Sequence, residues 1–368
     1  ARGLVGEFNT AAHELFASTT SEHASFAAGM LHAETDGQRV NNGQSRDAYA
    51  ALATLQLTTA LTLQLDVQQS DASFGDLPIR WDPNFVAVND NNSERFTTSR
   101  IGVRGQLSPD SEILFAATYS DSKATLTDNV NPFTFEVTGH STTGEAQYVK
   151  IMHRLNLVLG LSSIDNPQHL LIDIPGCCTF PRQGTNREQT GYVYATLAPD
   201  ERLKLIGGAA WDKARLNSIF IDEERTYPKL GLILKPAENT TVRIAYFEMM
   251  QRPLAAGQTL EPVQVAGFSQ MHDDLPGTKS RETAGAIDQQ IGQRVYLGAS
   301  ASNRWMDVPY LGSDSLGNLI GVTAPWSEGQ VGGYVRWLAT SSIALSLQAV
   351  KEDFERTQEN QGTGEFLS

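Results

Sequence analysis

Cysteine is nearly absent from this sequence of 368 residues, which contains only the adjacent pair Cys177 and Cys178. Such a pair excludes a disulfide framework and the CxxC spacing that is typical of metal and redox sites. The two sulfurs could form a vicinal disulfide or remain free thiols, and the sequence leaves both states open. Scarce cysteine is compatible with an oxidising compartment but does not require one.

The chain also lacks long apolar runs and basic character. No stretch approaches 18 consecutive apolar residues, which excludes a transmembrane helix, whereas a transmembrane β-strand needs only about 9 to 11 residues with alternate ones apolar. The 28 Lys and Arg are outnumbered by 42 Asp and Glu, giving a formal net charge of −14. Nucleic acid is therefore not expected as a partner, because its binding depends on clustered basic residues.

Alternation of apolar and polar residues is the strongest signal that is present. In ALTLQLDVQQSD (60–71), Leu61, Leu63, Leu65 and Val67 fall on one side of an extended strand. The same period recurs at 100–107, 112–120, 154–163, 202–212, 240–248 and 342–350. No helical period of similar strength is found, so the sequence predicts an all-β chain.

Short polar connectors alternate with long polar segments along the whole chain. The long segments are predicted as loops at 34–46, 71–95, 121–142, 166–187, 213–226, 252–277 and 303–327. Such long loops are uncommon in compact domains, but an up-and-down membrane barrel carries them at one end only. The pattern predicts a single domain over 1–368: an antiparallel up-and-down transmembrane β-barrel of about 16 strands. A soluble β-sandwich is the alternative.

Charged residues within the predicted strands indicate a water-filled lumen, because a dry core would require each charge to be paired. The lumen-lining candidates are Asp66, Arg100, Arg104, Lys150, Lys204 and Arg243. Clustered basic side chains would favour anionic solutes, whereas the acidic loops favour the opposite. Charge selectivity is therefore left open.

The segment 252–277 combines prolines with mixed apolar and polar residues. It is predicted either to fold into the lumen as a constriction or to form an exposed extracellular loop. The candidates for a constriction are Arg252, Gln258, Glu261 and Gln264.

Metal and catalytic chemistry have weaker signals. Asp90, Asp273 and Asp274 offer the oxygen ligands that Ca²⁺ prefers, although their spacing does not follow the EF-hand rule, and a solvated acidic loop is the alternative. No other cofactor is expected. The histidines lack the context of a nucleophile and its base, so the protein is predicted not to be an enzyme.

Several phrases resemble the C-terminal barrel of bacterial outer-membrane proteins that carry N-terminal tetratricopeptide repeats. They are ETDGQRVNN (34–42), GDLPIRWDP (75–83) and QRPLAAGQTLEPVQVAGFSQMHDDLPGT (251–278). The resemblance implies a location in the bacterial outer membrane, contact with the lipid bilayer and lipopolysaccharide, and a periplasmic protein partner. The sequence has no 34-residue helical repeat and stops just after the sixteenth predicted strand, so the chain is expected to be part of a longer protein.

Together these features predict a porin-like or export conduit for solute or polymer, with selectivity set by lumen charges and loop constriction. A plugged barrel that anchors or docks periplasmic or surface partners is the alternative. A receptor of the TonB-dependent type would require an N-terminal plug domain, and too few residues precede the first predicted strand to form one. This alternative is therefore not favoured unless the plug belongs to a part of the protein that precedes this chain. The solute, the openness of the lumen and the oligomeric state are left open.

Overall fold

The computed structural model describes residues 1–76, 87–128, 130, 133–254, 257–316 and 319–356. Within them no helix is long and apolar enough to cross a membrane. The strands are β1 (Arg2–Val5), β2 (Ala11–Thr20), β3 (Ala24–Thr35), β4 (Gln44–Gln56), β5 (Leu61–Phe74), β6 (Asp90–Ser108), β7 (Ser111–Asp128), β8 (Phe133–Ile151), β9 (Leu155–Ile174), β10 (Cys178–Leu197), β11 (Leu203–Leu216), β12 (Ile221–Ala237), β13 (Thr240–Met250), β14 (Gln264–Val265), β15 (Phe268–Ser269), β16 (Lys279–Ile291), β17 (Val295–Ser313), β18 (Leu319–Leu338) and β19 (Ala344–Arg356).

Seventeen strands form one sheet, and β14 and β15 form a separate two-stranded sheet. Strands that follow one another in the chain pair antiparallel, and β13 pairs directly with β16, so that β14 and β15 stand apart from the ladder. This arrangement confirms the predicted all-β, antiparallel, up-and-down architecture. The strand beyond the predicted 16 is β1, whose four residues are too few to show a period.

The two ends of the sheet carry connections of different length. Tight turns join β6 to β7 and β12 to β13, whereas β13 and β16 are separated by residues 251–278. Outer-membrane barrels place their short turns in the periplasm and their longer connections outside the cell. Residues 251–278 therefore enter from the extracellular end.

Most of the predicted long loops are wrong in extent, because the strands continue into them. The bounds are clearest for 121–142, 166–187, 213–226 and 303–327, where β7 reaches Asp128, β9 reaches Ile174, β11 reaches Leu216 and β17 reaches Ser313. Beyond the bilayer both faces of a strand meet water, so the apolar alternation disappears while the backbone ladder continues. The polar stretches in these segments therefore belong to strands that project into water and not to loops.

The segments 34–46 and 71–95 keep a shorter connection. The strand β3 ends at Thr35 and β4 begins at Gln44, while β5 ends at Phe74 and β6 begins at Asp90. Residues 77–86, which include most of GDLPIRWDP, lie outside the described residues.

Alternation separates an apolar outer face from a polar inner face. Leu65 and Val67 on β5 are 41% and 49% exposed, and Leu65 pairs with the outward Ile101 of β6. Between them, Asp66 pairs with Arg100 on the opposite face. The outer belt is the surface that a membrane barrel presents to lipid, so the alternating leucines of 60–71 lie where lipid is expected.

The largest apolar core lies on the inner face, between the sheet and residues 251–278. Its buried members are Tyr192, Tyr194, Ala210, Ala245, Phe247, Val265 and Ala266. The wall of the barrel is therefore packed from within by its own connection.

Candidate functional site

The connection between β13 and β16, residues 251–278, is called the inner loop here. Its base is closed by backbone hydrogen bonds from the Gln251 amide to the Thr278 carbonyl (2.7 Å) and from the Gly277 amide to the Gln251 carbonyl (2.8 Å). From this base the chain folds inward and contacts several strands of the wall. The inner loop is therefore the element that gives this lumen its shape.

The β14–β15 hairpin is the apolar part of the inner loop. Ala266 and Gly267 have φ angles of 50° and 87°, the pair of positive values that a tight type I′ hairpin turn needs. Val265 is fully buried and Ala266 is 3% exposed. Burying a valine side chain contributes roughly 1.5–3 kcal/mol, so the hairpin anchors the loop to the wall.

A glycine in the wall makes room for this hairpin. A Cβ atom added to Gly231 on β12 would lie 3.0 Å from Val265 Cγ1 and 3.1 Å from Ala266 Cβ. Both distances are shorter than ordinary van der Waals contact. The close approach of hairpin and wall thus depends on the missing side chain of Gly231.

The tip of the inner loop, residues 257–260, is held by polar contacts to β6 and β8. Glu145 accepts hydrogen bonds from Thr259 Oγ1 (2.6 Å) and from the Leu260 amide (3.1 Å). Gln147 donates to the Leu260 carbonyl, and Arg100 donates to Gln258. Through these contacts the inner loop, which begins at the end of β13, is bound to β6 and β8 in a distant part of the sheet.

A buried charge network joins the inner loop to β10. The Arg252 side chain is 9% exposed, and its Nη2 lies 3.1 Å from Glu261 Oε2 while its Nε lies 3.8 Å from Glu188 Oε1. Tyr194 donates to Glu261 at 2.7 Å. Pairing of this kind is required, because an isolated buried charge costs several kcal/mol.

The returning part of the inner loop pairs with β16, β17 and β18. His272 Nε2 lies 3.1 Å from Glu282 Oε2. Arg304, with a side chain 9% exposed, contacts both Asp274 and Glu328. The inner loop is thus held at three places: its hairpin, its tip and this return.

Several predicted lumen residues share the inner face. Arg243 lies 3.0 Å from Asp288, with its guanidinium 5.4 Å from the ring centroid of Phe268 in the hairpin. Asp66 accepts a hydrogen bond from Gln68 at 3.2 Å. Arg100 contacts the loop tip, as described above.

The remaining two inward candidates lie near the short turns. Arg104 Nε donates to Glu112 at 2.7 Å. Lys204 is exposed and lies on the same face as the partly buried Ile206. Neither takes part in the contacts of the inner loop.

The structure corrects the prediction that Lys150 lines the lumen, because its side chain lies on the outward face of β8. Gln147 points inward, and side chains alternate along a strand, so Lys150 points outward. Its Nζ lies 2.7 Å from Asp110 in the β6–β7 turn, and this hydrogen bond lowers the pKa of the Asp110 carboxyl. A charge near a strand end is readily solvated at the rim, so charge alone does not identify the lumen face.

Three of the four constriction candidates come together. Arg252 and Glu261 form the buried network, and Gln258 lies at the tip. Gln264 is exposed on the hairpin, where it pairs through its backbone with Ser269.

Sequence reasoning missed the partners of these residues on the wall. They are Glu145, Gln147, Glu188, Tyr194, Asp212, Lys229 and Arg304. The alternation of Glu188, Thr190, Tyr192 and Tyr194 is the signal that could have identified an inner face rich in hydrogen-bonding groups.

The acidic metal candidates do not form one site. Asp274 is engaged by Arg304, and Asp273 is exposed. Burial, together with the nearby Asp128 and Asp76, raises the pKa of Asp90. Within the described ranges no group of three or more His, Cys, Asp or Glu side chains is placed to hold a metal ion. Calcium binding stays a prediction.

Cys177 and Cys178 lie at the β9–β10 connection with their sulfur atoms bonded to each other. We expect alkylation to label neither residue before reduction and both after it, which mass measurement of the intact and reduced protein checks. Labelling without reductant would show free thiols instead.

The phrase ETDGQRVNN has a structural role. Arg39 Nη2 donates to Asp76 at 2.8 Å, and Asn41 Nδ2 donates to the carbonyls of Ala87 (2.8 Å) and Asp90 (2.7 Å). These hydrogen bonds therefore hold the connection between β3 and β4 against the described ends of the connection between β5 and β6.

Comparison with known proteins identifies one family. Residues 7–283 match the family described as TonB dependent receptor-like, beta-barrel. No curated protein sequence matches the chain.

Solved structures share the fold. The siderophore receptor PiuA from Acinetobacter baumannii has a TM-score of 0.70 at 11% identity, covering 98% of this chain and 64% of that one. The copper transporter OprC has a TM-score of 0.69 at 12% identity, covering 95% and 60%. The alcaligin outer membrane receptor FauA from Bordetella pertussis has a TM-score of 0.67 at 14% identity, covering 97% and 61%. The chain thus spans less than two thirds of these structures.

The predicted resemblance to barrels that follow tetratricopeptide repeats is wrong, because the family that matches residues 7–283 is TonB dependent receptor-like, beta-barrel. That resemblance rested on loop phrases, and the first of them has a clasping role that does not identify a function. The same match overturns the prediction that the chain is not of the TonB-dependent type, which depended on the short segment before the first strand.

Proposed function

The chain belongs to the TonB dependent receptor-like β-barrel family of the bacterial outer membrane, and on this premise we propose that it forms part of the wall of a transport barrel whose lumen is obstructed by the inner loop. The protein is not an enzyme. The observation that carries the proposal is the inner loop itself, which is anchored by buried Val265 and reaches Glu145 on β8.

The proposed cargo is a metal ion or a metal chelate. The names of the similar structures support this class, since they describe a copper transporter, an alcaligin receptor and a siderophore receptor. The proposed periplasmic partner is TonB, which the family name supports. Both assignments concern the full-length protein, since this chain covers 60% to 64% of those structures.

An obstructed lumen differs from the porin-like or export conduit predicted from the sequence. A porin needs a permanent passage beside its constriction, whereas buried contacts at the hairpin, tip and return favour an inner loop that must move before cargo passes. The same contacts also favour the second candidate function, a plugged barrel that serves as an anchor or docking scaffold. The two candidates differ in whether removal of the loop opens a path.

Single-channel conductance of the full-length protein in a planar bilayer tests the proposal. We expect the wild-type protein to give few or small steps and a variant lacking 252–276 to give larger, stable steps, since the deletion removes the hairpin, the tip and most of the return. Heat-modifiable migration on a gel is the control for correct folding. Silence from both folded proteins would contradict the transport barrel and favour the docking scaffold.

A further inference from the structure

Six charged side chains meet where the inner loop covers the wall. Four are carboxylates, two are cations, and every one is largely buried; they are Glu145 on β8, Glu188 on β10, Asp212 on β11, Lys229 on β12, and Arg252 and Glu261 in the loop. With all six ionised, the cluster holds two more negative than positive charges. Such an excess is unfavourable in an environment of low dielectric constant.

The two innermost carboxylates are incompletely satisfied. Glu188 is 1% exposed; its Oε1 accepts a hydrogen bond from Thr190 at 3.1 Å, whereas its Oε2 has no hydrogen-bond partner among the residues that the structure describes. Asp212 is 5% exposed, and its Oδ1 likewise has no partner within the described ranges. A carboxylate in this position is stabilised by protonation, because an unpaired buried charge is much less favourable than a neutral acid.

The cations do not remove this excess. Lys229 Nζ donates to the Glu248 backbone carbonyl at 2.7 Å. Arg252 Nη2 pairs with Glu261, whereas its Nη1 has no partner in the part of the chain that the structure describes. A cavity of about 50 Å³ lies among Asp212, Lys229, Arg252 and Glu261. It has room for a few water molecules only, which is far less hydration than an open lumen provides.

The other titratable groups that face the cluster are neutral tyrosines. Tyr192 and Tyr194 come from β10 and Tyr227 from β12, while β13 contributes the buried apolar Phe247 and Met249. His272 with Glu282 on β16 lies on the return of the loop and is a separate ionisable pair.

We propose that docking of the inner loop takes up one proton, which is held by either Glu188 or Asp212, so that the loop is a pH-sensitive latch. The inference deepens the proposed function and rests on it only where undocking is taken to open the lumen. When the loop leaves, both carboxylates regain water and ionise; when it docks, one of them must become neutral. Lower pH therefore favours the docked loop and higher pH favours its release, with a docking constant that changes by about tenfold per pH unit for each proton.

Amide hydrogen exchange of residues 257–261 in the full-length protein, in lipid nanodiscs and corrected for the intrinsic pH dependence of exchange, tests the latch without relying on transport. In the wild-type protein we expect protection of these amides to fall by up to about tenfold per pH unit from about pH 5 upward, where water-exposed carboxylates are already ionised, and to level off at the pH at which the docked carboxyl also ionises. In Glu188→Gln, which resembles the protonated acid, protection should stay high and nearly independent of pH. Asp212→Asn should reduce the slope in the same direction, which covers the case in which the first variant does not fold.

Two matched controls isolate the cluster. Glu224→Gln removes a carboxylate that lies 3.0 Å from Lys213 and is 54% exposed, so it should keep the wild-type slope. His272→Gln should also keep it, unless the slope belongs to the histidine pair, which would overturn the proposal. The latch would also be overturned if folded Glu188→Gln kept the wild-type dependence of amide protection on pH. Weaker protection of the inner loop in this variant at every pH would overturn it as well. A latch that is present in a protein without conductance in any variant would contradict the proposed transport function alone.

Discussion

Gly231→Val is expected to expel the β14–β15 hairpin from the wall while leaving the barrel folded. The new side chain would occupy the space that Val265 Cγ1 and Ala266 Cβ fill, since a Cβ alone already lies 3.0 and 3.1 Å from them. Overpacking of this kind costs about 1–3 kcal/mol, which lowers the docking constant by about fivefold to 150-fold. Protection of the hairpin amides should fall by that factor, and conductance should move toward that of the loop deletion.

Gly207→Val is the matched control for this substitution. Gly207 lies on the neighbouring strand β11, faces outward, and has open space around an added Cβ. It makes the same chemical change in the same sheet without touching the hairpin, so it should leave exchange of the inner loop unchanged. Equal effects of the two variants would show that valine disturbs the sheet itself, and the proposed role of Gly231 would be wrong.

Arg304→Met is expected to release the returning part of the inner loop and to destabilise β17. Arg304 bonds to Asp274 from the loop and Glu328 from β18, and its side chain is 9% exposed. Removing it leaves two carboxylates facing each other without a cation, a change that costs about 3–5 kcal/mol for a buried pair. A lower thermal unfolding midpoint and faster exchange at residues 271–278 would report the loss.

Two further variants show whether charge or packing is responsible. Arg281→Met removes an arginine from the outward face of β16, where its guanidinium lies 5.1 Å from the Trp305 ring centroid, and should have little effect. Combining Arg304→Met with Asp274→Asn and Glu328→Gln should restore part of the stability, because the uncompensated charges are then absent. No recovery would assign the loss to the packing of the arginine side chain.

Polarity along a strand indicates contact with water, but water is present in the lumen, at the rims and around strands that project beyond the bilayer. Charge therefore does not distinguish the lumen from the rim, where Lys150 pairs with Asp110. For the same reason, the polar segment 166–187 belongs mostly to β9 and β10 and not to a loop.

The amino-acid sequence by itself determined the apolar-alternating part of the strands and the outer belt, because the period of two in Leu61, Leu63, Leu65 and Val67 depends only on local backbone geometry. It also singled out 252–277, since a long polar and proline-containing connection is unusual wherever it lies. Only the tertiary structure decided that this connection turns inward and that Arg252 meets Glu188 and Glu261. Those contacts join residues far apart in the chain, and they depend on the curvature of a whole sheet and on the space at Gly231, which no local pattern encodes.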